Sequence, residues 1–347
     1  QGLTRAKADI LYNSEYDNIL PILIHGDAAV AGQGVVYETA QMGELDGYST
    51  GGTIHFVINN QIGFTTDFDD ARSSTYCTAA AQAIGVPVFH VNGDDPEAVI
   101  FASRLAIEYR QKFNTDVFID MVCYRKHGHN EGDDPSFTQP EMYQIIKKHK
   151  NPRELYVEKL TARGDVQQAL AEEMETSFWS NLQARLDEVK QSNMPYEYQE
   201  PEVAWRSLKK RVFEESEAVT PVTGVKKADV DKIIKHCMTL PEGFTPLSKV
   251  KRLLKGAQKL LNAGNYDWAM GEWLAFGTLL LENHNVRMSG QDVKRGTFSH
   301  RHAIFNDVKT FEEYNRFNNI ADKQGQLRIF NSLLSEFAVM GFEYGYS

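Results

Sequence analysis

A loop of small residues is the part of the sequence whose residue types and spacing best fit a chemical role. Residues 25–34 read HGDAAVAGQG, and they follow an apolar run that is typical of a buried strand. Glycines and alanines leave the backbone N–H groups accessible, which a phosphate requires at the start of a helix. The carboxylate of Asp27 would repel that phosphate unless a metal cation lay between them. The loop therefore fits either a metal–phosphate site or close helix–strand packing with Asp27 as the helix N-cap.

A second polar loop, residues 59–64 (NNQIGF), follows the next apolar run. Asparagine offers a neutral oxygen ligand, and magnesium takes oxygen ligands in an octahedron that phosphate oxygens commonly complete. Asp27 and Asn60 are one strand–helix–strand unit apart. Together with a backbone carbonyl, they would form the protein half of a magnesium site.

A third polar loop, residues 124–135, follows the fourth apolar run and carries an arginine, a lysine and two histidines. These cationic side chains can contact an anion at a strand end. A zinc site built from His127, His129 and Asp133 is an alternative interpretation of the same loop. Asp95 and Asp134 each precede a proline, which predicts N-caps rather than catalytic carboxylates.

Further candidates lie in the second half of the chain. Gln291 and the string that contains His300 and His302 follow one predicted strand. Glu336 follows another predicted strand, which ends at Phe330. Asn331 or Ser332 is predicted to cap the next helix, which would place Glu336 in its early turns. A glutamate there is most often a surface residue favoured by the helix dipole.

The surrounding pattern predicts an α/β fold. Apolar runs predict strands at 21–25, 54–58, 86–91 and 117–122, and helices are expected at 34–45 and 96–113. Strands that alternate with helices indicate a parallel sheet flanked by helices, with ligands at the carboxyl ends of the strands.

Three domains are predicted. Residues 1–150 form an α/β domain, and residues 151–249 form a helical connector. Residues 250–347 form the start of a second α/β domain, which the sequence cuts off. In the connector, helices are predicted at 152–163 and 166–190. In the second α/β domain, a helix is predicted at 266–281 and strands at 285–288 and 327–330. We therefore expect the chain to be an internal fragment of a longer protein.

Composition narrows the classes of partner and cofactor. The net charge of −10 argues against nucleic acid and anionic membranes as the main partners. No apolar run approaches the roughly 18 residues that a transmembrane helix needs. Three cysteines without a CxxC motif make a disulfide framework unexpected. A nicotinamide-dependent dehydrogenase is another class of enzyme with this kind of sheet, but the sequence has no GxGxxG fingerprint.

Five strings together resemble the thiamine diphosphate-dependent decarboxylating first component of 2-oxoglutarate dehydrogenase. They occur in the order of that family along essentially the whole chain. They are PILIHGDAAVAGQGVVYE (21–38), VINNQIGFTTD (57–67), YRKHGHNEGDDPSFTQP (124–140), RMSGQDVKRGTFSHRH (287–302) and NSLLSEFAVMGFEYGYS (331–347). The resemblance implies a thiamine diphosphate-binding fold that comprises a diphosphate-binding domain, a helical connector and the start of a pyrimidine-binding domain.

The resemblance also implies roles for individual residues. Magnesium ligands would be Asp27, Asn60 and the carbonyl of Ile62. Residues that bind the cofactor would be Asp27, Ala28, Ala29, Asn60, His129 and Gln291. Glu336 would hydrogen-bond the aminopyrimidine ring, and His300 and His302 would face the reaction centre.

The activity implied is oxidative decarboxylation of 2-oxoglutarate in the tricarboxylic acid cycle, with thiamine diphosphate and magnesium as cofactors. A lipoyl group on a partner succinyltransferase would accept the succinyl group. A homodimer is implied, located in the bacterial cytoplasm or the mitochondrial matrix. Two alternatives remain open: a relative specific for 2-oxoadipate, and a scaffold of the same fold that has lost catalysis.

Overall fold

The structure is a computed structural model that describes residues 1–191, 197 and 222–347. The chain forms two compact units. One unit contains residues 1–149 and 225–347, and the other contains residues 150–224. The domain boundaries predicted from the sequence, near 150 and 249, divide the chain more finely and stay predictions.

A four-stranded parallel sheet organises the first part of the larger unit. Its strands are β1 (Ile22–Gly26), β2 (Ile54–Asn59), β5 (Val88–Asn92) and β6 (Val117–Val122), in the spatial order β1-β2-β6-β5. The short strands β3 (Ile62–Gly63) and β4 (Thr66–Asp67) form an antiparallel pair just after β2. Val57 and Phe118 are fully buried, as expected for central strands covered on both faces. The prediction of an α/β fold with a parallel sheet is confirmed.

Helices alternate with these strands along the chain. They are α1 (Gly2–Leu11), α2 (Asp27–Gly32), α3 (Gly34–Gln41), α4 (Phe68–Ala71), α5 (Ala79–Ile84), α6 (Pro96–Phe113) and α7 (Pro140–Ile146). The predicted N-caps are confirmed: Asp95 accepts from the N–H of Ala98, and Asp134 accepts from that of Ser136 in a short 3-10 helix.

The helix predicted at 34–45 ends at Gln41. Met42 is buried in a turn, and Gly43, which disfavours helix, follows it. The predicted length was therefore wrong by four residues.

The smaller unit contains two charged helices, α8 (Pro152–Arg163) and α9 (Gln168–Gln191). Asn151 and Glu154 form a capping box at the start of α8, which explains why that helix begins where the sequence predicted. Among the described residues of these two helices, Ala171 is the one that is buried. The prediction of exposed, charged helices is confirmed for this segment.

A second α/β arrangement forms the rest of the larger unit. Its helices are α10 (Lys227–Met238), α11 (Ser248–Asn262), α12 (Trp268–Leu281) and α13 (Ala338–Tyr346). Strands β7 (Val286–Gly290) and β10 (Leu327–Asn331) pair in parallel, and β8 (Ile304–Asn306) pairs antiparallel with β9 (Glu313–Asn315). Trp273, Phe317 and Leu327 lie in the core between these elements.

The helix after β10 corrects one prediction. It begins at Ala338, so Glu336 lies in the loop before it and not in its early turns. Neither predicted cap acts as one: the Asn331 side chain accepts from the N–H of Lys294, and the Ser332 N–H donates to the carbonyl of Gly290. Asn331 is the last residue of β10, and Ser332 continues the hydrogen bonding of β10 to β7, so both residues belong to the strand end and not to the helix.

Within the described ranges 1–191 and 222–347, no helix has the length and apolarity that crossing a bilayer requires.

Candidate functional site

Asp27 lies where β1 turns into α2. Gly26 occupies the N-cap position, and Asp27 is the first helical residue, so the interpretation of Asp27 as an N-cap is wrong. Its side chain is buried, with 2% of the residue exposed. Burial raises the pKa of the Asp27 carboxyl. Hydrogen bonds from its own N–H and that of Ala28, together with the charge of Arg72, oppose that rise.

Asn60 and Ile62 lie directly after β2. Gln61, between them, adopts a left-handed conformation with φ of 66°, which turns the chain sharply. The Asn60 Oδ1 atom accepts a hydrogen bond from the N–H of Ile62 at 3.3 Å. The Gln61 side chain donates to the carbonyl of Cys123 at 2.8 Å, so this loop is also attached to the end of β6.

The structure brings the first two loops together. β1 and β2 are neighbouring parallel strands with Gly26 opposite Ile58, so Asp27 and Asn60 leave the sheet at the same edge. Gly63 packs so closely on the first loop that a Cβ atom added there would lie 2.8 Å from the Ala28 Cβ. A larger residue at Gly63 would separate the loop of Asp27 from the loop of Asn60.

His129 belongs to the third loop and reaches the second one. The centroid of its exposed ring lies 4.6 Å from that of the Phe64 ring. The backbone N–H of His129 donates to the Asp133 carboxylate at 2.8 Å. Arg125 Nη2 donates to the carbonyl of Phe64 at 2.9 Å, which anchors the third loop at the same place.

The donors present fit magnesium better than zinc. Among the residues that the structure describes, no group of three or more His, Cys, Asp or Glu side chains is placed to hold a metal ion. This finding removes the zinc interpretation of His127, His129 and Asp133. The alternative set consists of a buried carboxylate, an amide oxygen and a backbone carbonyl, from Asp27, Asn60 and Ile62. These hard oxygen atoms are the ligands that magnesium prefers.

Arg72 is a residue of this site that sequence reasoning missed. Its Nη1 atom lies 3.7 Å from Asp27 Oδ2, and its side chain is 10% exposed. The buried Nε and Nη1 atoms of Arg72 have no hydrogen-bond partner among the described residues. Buried guanidinium donors beside a carboxylate can bind an anionic oxygen. Arg72 lies outside any periodic pattern, and the acidic residues Asp67, Asp69 and Asp70 just before it were a local signal that could have drawn attention to it.

A buried polar network supports the strand ends beneath the loops. Asp120 on β6, 1% exposed, accepts from Asn59 Nδ2 at 3.0 Å and contacts His90 Nδ1 at 2.9 Å. Cys77 also faces Asp120, and burial raises the pKa of its thiol to about 12. Burial thus favours the protonated thiol, which is the less reactive form of cysteine.

The candidates from the second half of the chain follow neighbouring strands. Gln291 comes directly after β7, and Glu336 lies five residues after β10, with both side chains exposed. The hydrogen bond from Ser332 to Gly290 joins the two strand ends. The N–H of Glu336 donates to Oε1 of Glu38 at 3.0 Å.

His300 and His302 lie in a loop that Arg301 anchors by two bonds to Glu272, at 2.8 and 3.0 Å. The His300 ring packs over Gly296, whose φ is 84°, and its Nε2 lies 3.7 Å from Glu272 Oε1. His302 lies close to Ser299, and burial lowers the pKa of its imidazole.

The structure therefore forms two groups of candidate residues. The first comprises Asp27, Asn60 and His129 with their loops, and the second comprises Gln291 and Glu336 at the paired ends of β7 and β10. Within the described part of the chain, no hydrogen bond or ion pair links the side chains of one group to those of the other. The roles assigned to all these residues remain proposals.

Family models match both of the segments that contain these two groups of residues. The family described as dehydrogenase E1 component matches residues 1–197, and the transketolase pyrimidine binding domain matches residues 265–347. The chain is 44% identical to a multifunctional 2-oxoglutarate metabolism enzyme of Mycobacterium sp. (strain JLS), over 100% of the chain and 28% of that protein. It is 45% identical to a mitochondrial 2-oxoglutarate dehydrogenase of Caenorhabditis briggsae, over 100% of the chain and 34% of that protein. The chain thus spans about a third or less of the length of these relatives.

Proposed function

Because the chain belongs to the dehydrogenase E1 component family, we propose that its protein decarboxylates a 2-oxo acid with thiamine diphosphate. The observation that carries this proposal is the meeting of the Asp27 and Asn60 loops at one edge of the sheet. Family membership was expected from the sequence, and the expectation is confirmed. The activity, substrate and partners of the whole protein are proposals.

Asp27, Asn60 and the Ile62 carbonyl would hold the magnesium ion, which would in turn bind the diphosphate. Ala28 and Ala29, with their short side chains, would leave the backbone beside Asp27 accessible to the phosphate oxygens, and His129 would contact the same group. Arg72 adds N–H donors that the described part of the protein does not use. The negative charge of Asp27 therefore assists diphosphate binding through the cation instead of opposing it.

Thiamine diphosphate supplies a carbon nucleophile and an electron sink when it is bound. Glu336 would hydrogen-bond its aminopyrimidine ring, and Gln291 would help to bind it. His300 and His302 would donate a proton or contact the anionic substrate. Burial lowers the pKa of the His302 imidazole and so favours its neutral form.

The substrate is proposed to be 2-oxoglutarate, on the support of the relatives' names, which mention 2-oxoglutarate. The succinyl group would pass to a lipoyl group on a partner succinyltransferase, and the protein would act as a homodimer. Bacterial cytoplasm and mitochondrial matrix both remain proposals, because the relatives include mycobacterial enzymes and enzymes named as mitochondrial.

Carbon dioxide release by the full-length protein tests this proposal. The purified protein, loaded with thiamine diphosphate and magnesium, is supplied with 2-oxoglutarate or 2-oxoadipate and an artificial electron acceptor. Preferential turnover of 2-oxoglutarate is the expected result. Preference for 2-oxoadipate would overturn the substrate, and failure to release carbon dioxide from either acid would favour the inactive scaffold.

A further inference from the structure

One carboxylate holds the loop that contains Glu336. Oε1 of Glu38 on α3 accepts from the N–H of Glu336 at 3.0 Å. Its Oε2 accepts from the N–H groups of Phe337 and Ala338, at 3.1 and 2.8 Å, and from the Ser335 hydroxyl at 2.6 Å. Glu38 and Ala338 are 300 residues apart in sequence, so this is a long-range contact.

Glu38 forms the N-terminal cap of α13 together with the local residue Ser335. The first N–H groups of a helix lack partners within the helix, and the helix dipole makes a negative charge favourable there. Ser335 completes the cap, since its Oγ accepts from the N–H of Val339 at 3.1 Å. The same hydrogen bonds lower the pKa of Glu38 to about 2, so the carboxylate is ionised at any physiological pH.

Glu38 is also linked to the metal side of the proposed site. It lies on α3, which follows α2 after the single residue Gln33, and Asp27 is the first residue of α2. One short stretch of chain therefore carries both the proposed metal ligand and the carboxylate that fixes the backbone of Glu336.

We propose that Glu38 is a positioning residue that fixes the backbone of Glu336 relative to the helix following the Asp27 loop. This inference rests on the proposed role of Glu336 toward the aminopyrimidine ring. Glu38 would contact neither substrate nor cofactor. It would act through the orientation of Glu336, so its loss should slow turnover without weakening the binding of the diphosphate and the metal.

Amide exchange in the full-length, cofactor-free protein tests the contact directly. In Glu38→Gln, which loses the charge and one acceptor, the amides of Glu336, Phe337 and Ala338 should exchange at least about tenfold faster than in the wild type. Glu44→Gln is the matched control, because Glu44 follows on the same segment and, among the residues that the structure describes, accepts from the Thr115 hydroxyl alone, in an exposed contact. Unchanged exchange in Glu38→Gln would overturn the proposal.

Kinetics on the loaded enzyme separate positioning from general stability. Glu38→Gln should lower kcat about tenfold or more. Its KM and its affinity for magnesium and thiamine diphosphate should stay within about twofold of the wild type. Faster exchange with an unchanged kcat would overturn the positioning role alone, whereas a wild type that does not decarboxylate would overturn the proposed function.

If Glu38→Gln fails to fold, Ser335→Ala provides a milder variant. It removes one donor to Glu38 and should also lower kcat, but by less than Glu38→Gln. An unchanged kcat in Ser335→Ala would then count against the proposal.

Discussion

Asp27 and Arg72 form a buried ion pair, in which Oδ2 of the carboxylate lies 3.7 Å from Nη1 of the guanidinium. The separation exceeds that of a good hydrogen bond, and Nε and Nη1 of Arg72 have no other partner among the described residues. Arg72 therefore partly offsets the charge of Asp27 and keeps donors available. A bound diphosphate would provide acceptors for them.

Replacement of Arg72 by methionine tests this role. Methionine fills much of the arginine stem's volume and removes the charged donors. We expect the affinity for thiamine diphosphate with magnesium to fall about tenfold or more, since charge-assisted hydrogen bonds to phosphate would be lost. Isothermal titration of the full-length protein measures this. Arg104→Met, on the exposed surface of α6, is the control, and equal affinities for the Arg72 and Arg104 variants would contradict the assignment.

The Glu38 cap predicts a pH dependence of stability. Its folded pKa is about 2 against an ordinary value of 4.5, chiefly because of the Ser335 hydroxyl and the N–H of Ala338. A lowered carboxyl pKa stabilises the folded state fully above pH 4.5, and this stabilisation is lost as the pH falls toward 2. Glu38→Gln should therefore reduce the free energy of unfolding by about 1 kcal/mol at pH 7, the usual cost of losing a cap.

The difference between wild type and Glu38→Gln should shrink as the pH falls below about 4.5. Denaturant unfolding of both proteins at a series of pH values measures it, with Glu44→Gln as the matched variant. A difference that stayed constant, or that grew in acid, would show that the Glu38 charge does not stabilise the start of α13.

Arg287 is predicted to be a main contributor to the stability of the larger unit. Its side chain is 8% exposed, binds Glu343 by two nitrogens, and donates to the carbonyl of Gly47 at 2.6 Å. The ring of Tyr346 lies 4.4 Å from its guanidinium carbon. Arg287→Met should lower the free energy of unfolding by about 2–4 kcal/mol, because Glu343 would lose its ion-pair partner and keep the hydrogen bond from the Ser289 hydroxyl.

A second arginine of the same region provides the comparison. Arg328 is 45% exposed and forms an ion pair with Asp9 at 3.2 Å. Arg328→Met should cost no more than about 1 kcal/mol, because the Arg328 guanidinium is half-exposed and the buried Asp9 carboxylate keeps its bonds from Arg5 and Ser14. Denaturant unfolding measures the free energy of unfolding of both variants. Equal values for Arg287→Met and Arg328→Met would contradict the prediction that Arg287 is a main contributor to stability.

The sequence predicted those parts of the fold that depend on local patterns. Apolar runs located the strands because Val57 and Phe118 lie in a sheet covered on both faces. Helix α6 was predicted at its observed bounds because Asp95, Pro96 and an amphipathic pattern all act locally. The first two loops of the candidate site followed from the rule that ligands bind at the carboxyl ends of parallel strands.

Long-range contacts account for what the sequence did not predict. Asn331 and Ser332 have the residue types of helix caps, but tertiary hydrogen bonds use them, and Glu38 caps the helix instead. No local signal connects Glu38 with residues so distant in sequence. Asp120 was likewise hidden inside an apolar run, although its carboxylate contacts Asn59 on β2, His90 on β5 and the thiol of Cys77.

The most direct test of the central claim is an isothermal titration of thiamine diphosphate into the full-length protein, with and without magnesium, for wild type and Asp27→Ala. Asp69→Asn, an exposed carboxylate variant on α4, serves as the control. The account predicts tight binding that requires magnesium in the wild type and the control, and a loss of affinity of about a hundredfold or more in Asp27→Ala. Equal, magnesium-dependent binding by wild type and Asp27→Ala would contradict the assignment of Asp27 as the metal ligand. Failure of the folded wild type to bind the cofactor under either condition would contradict the proposed function itself.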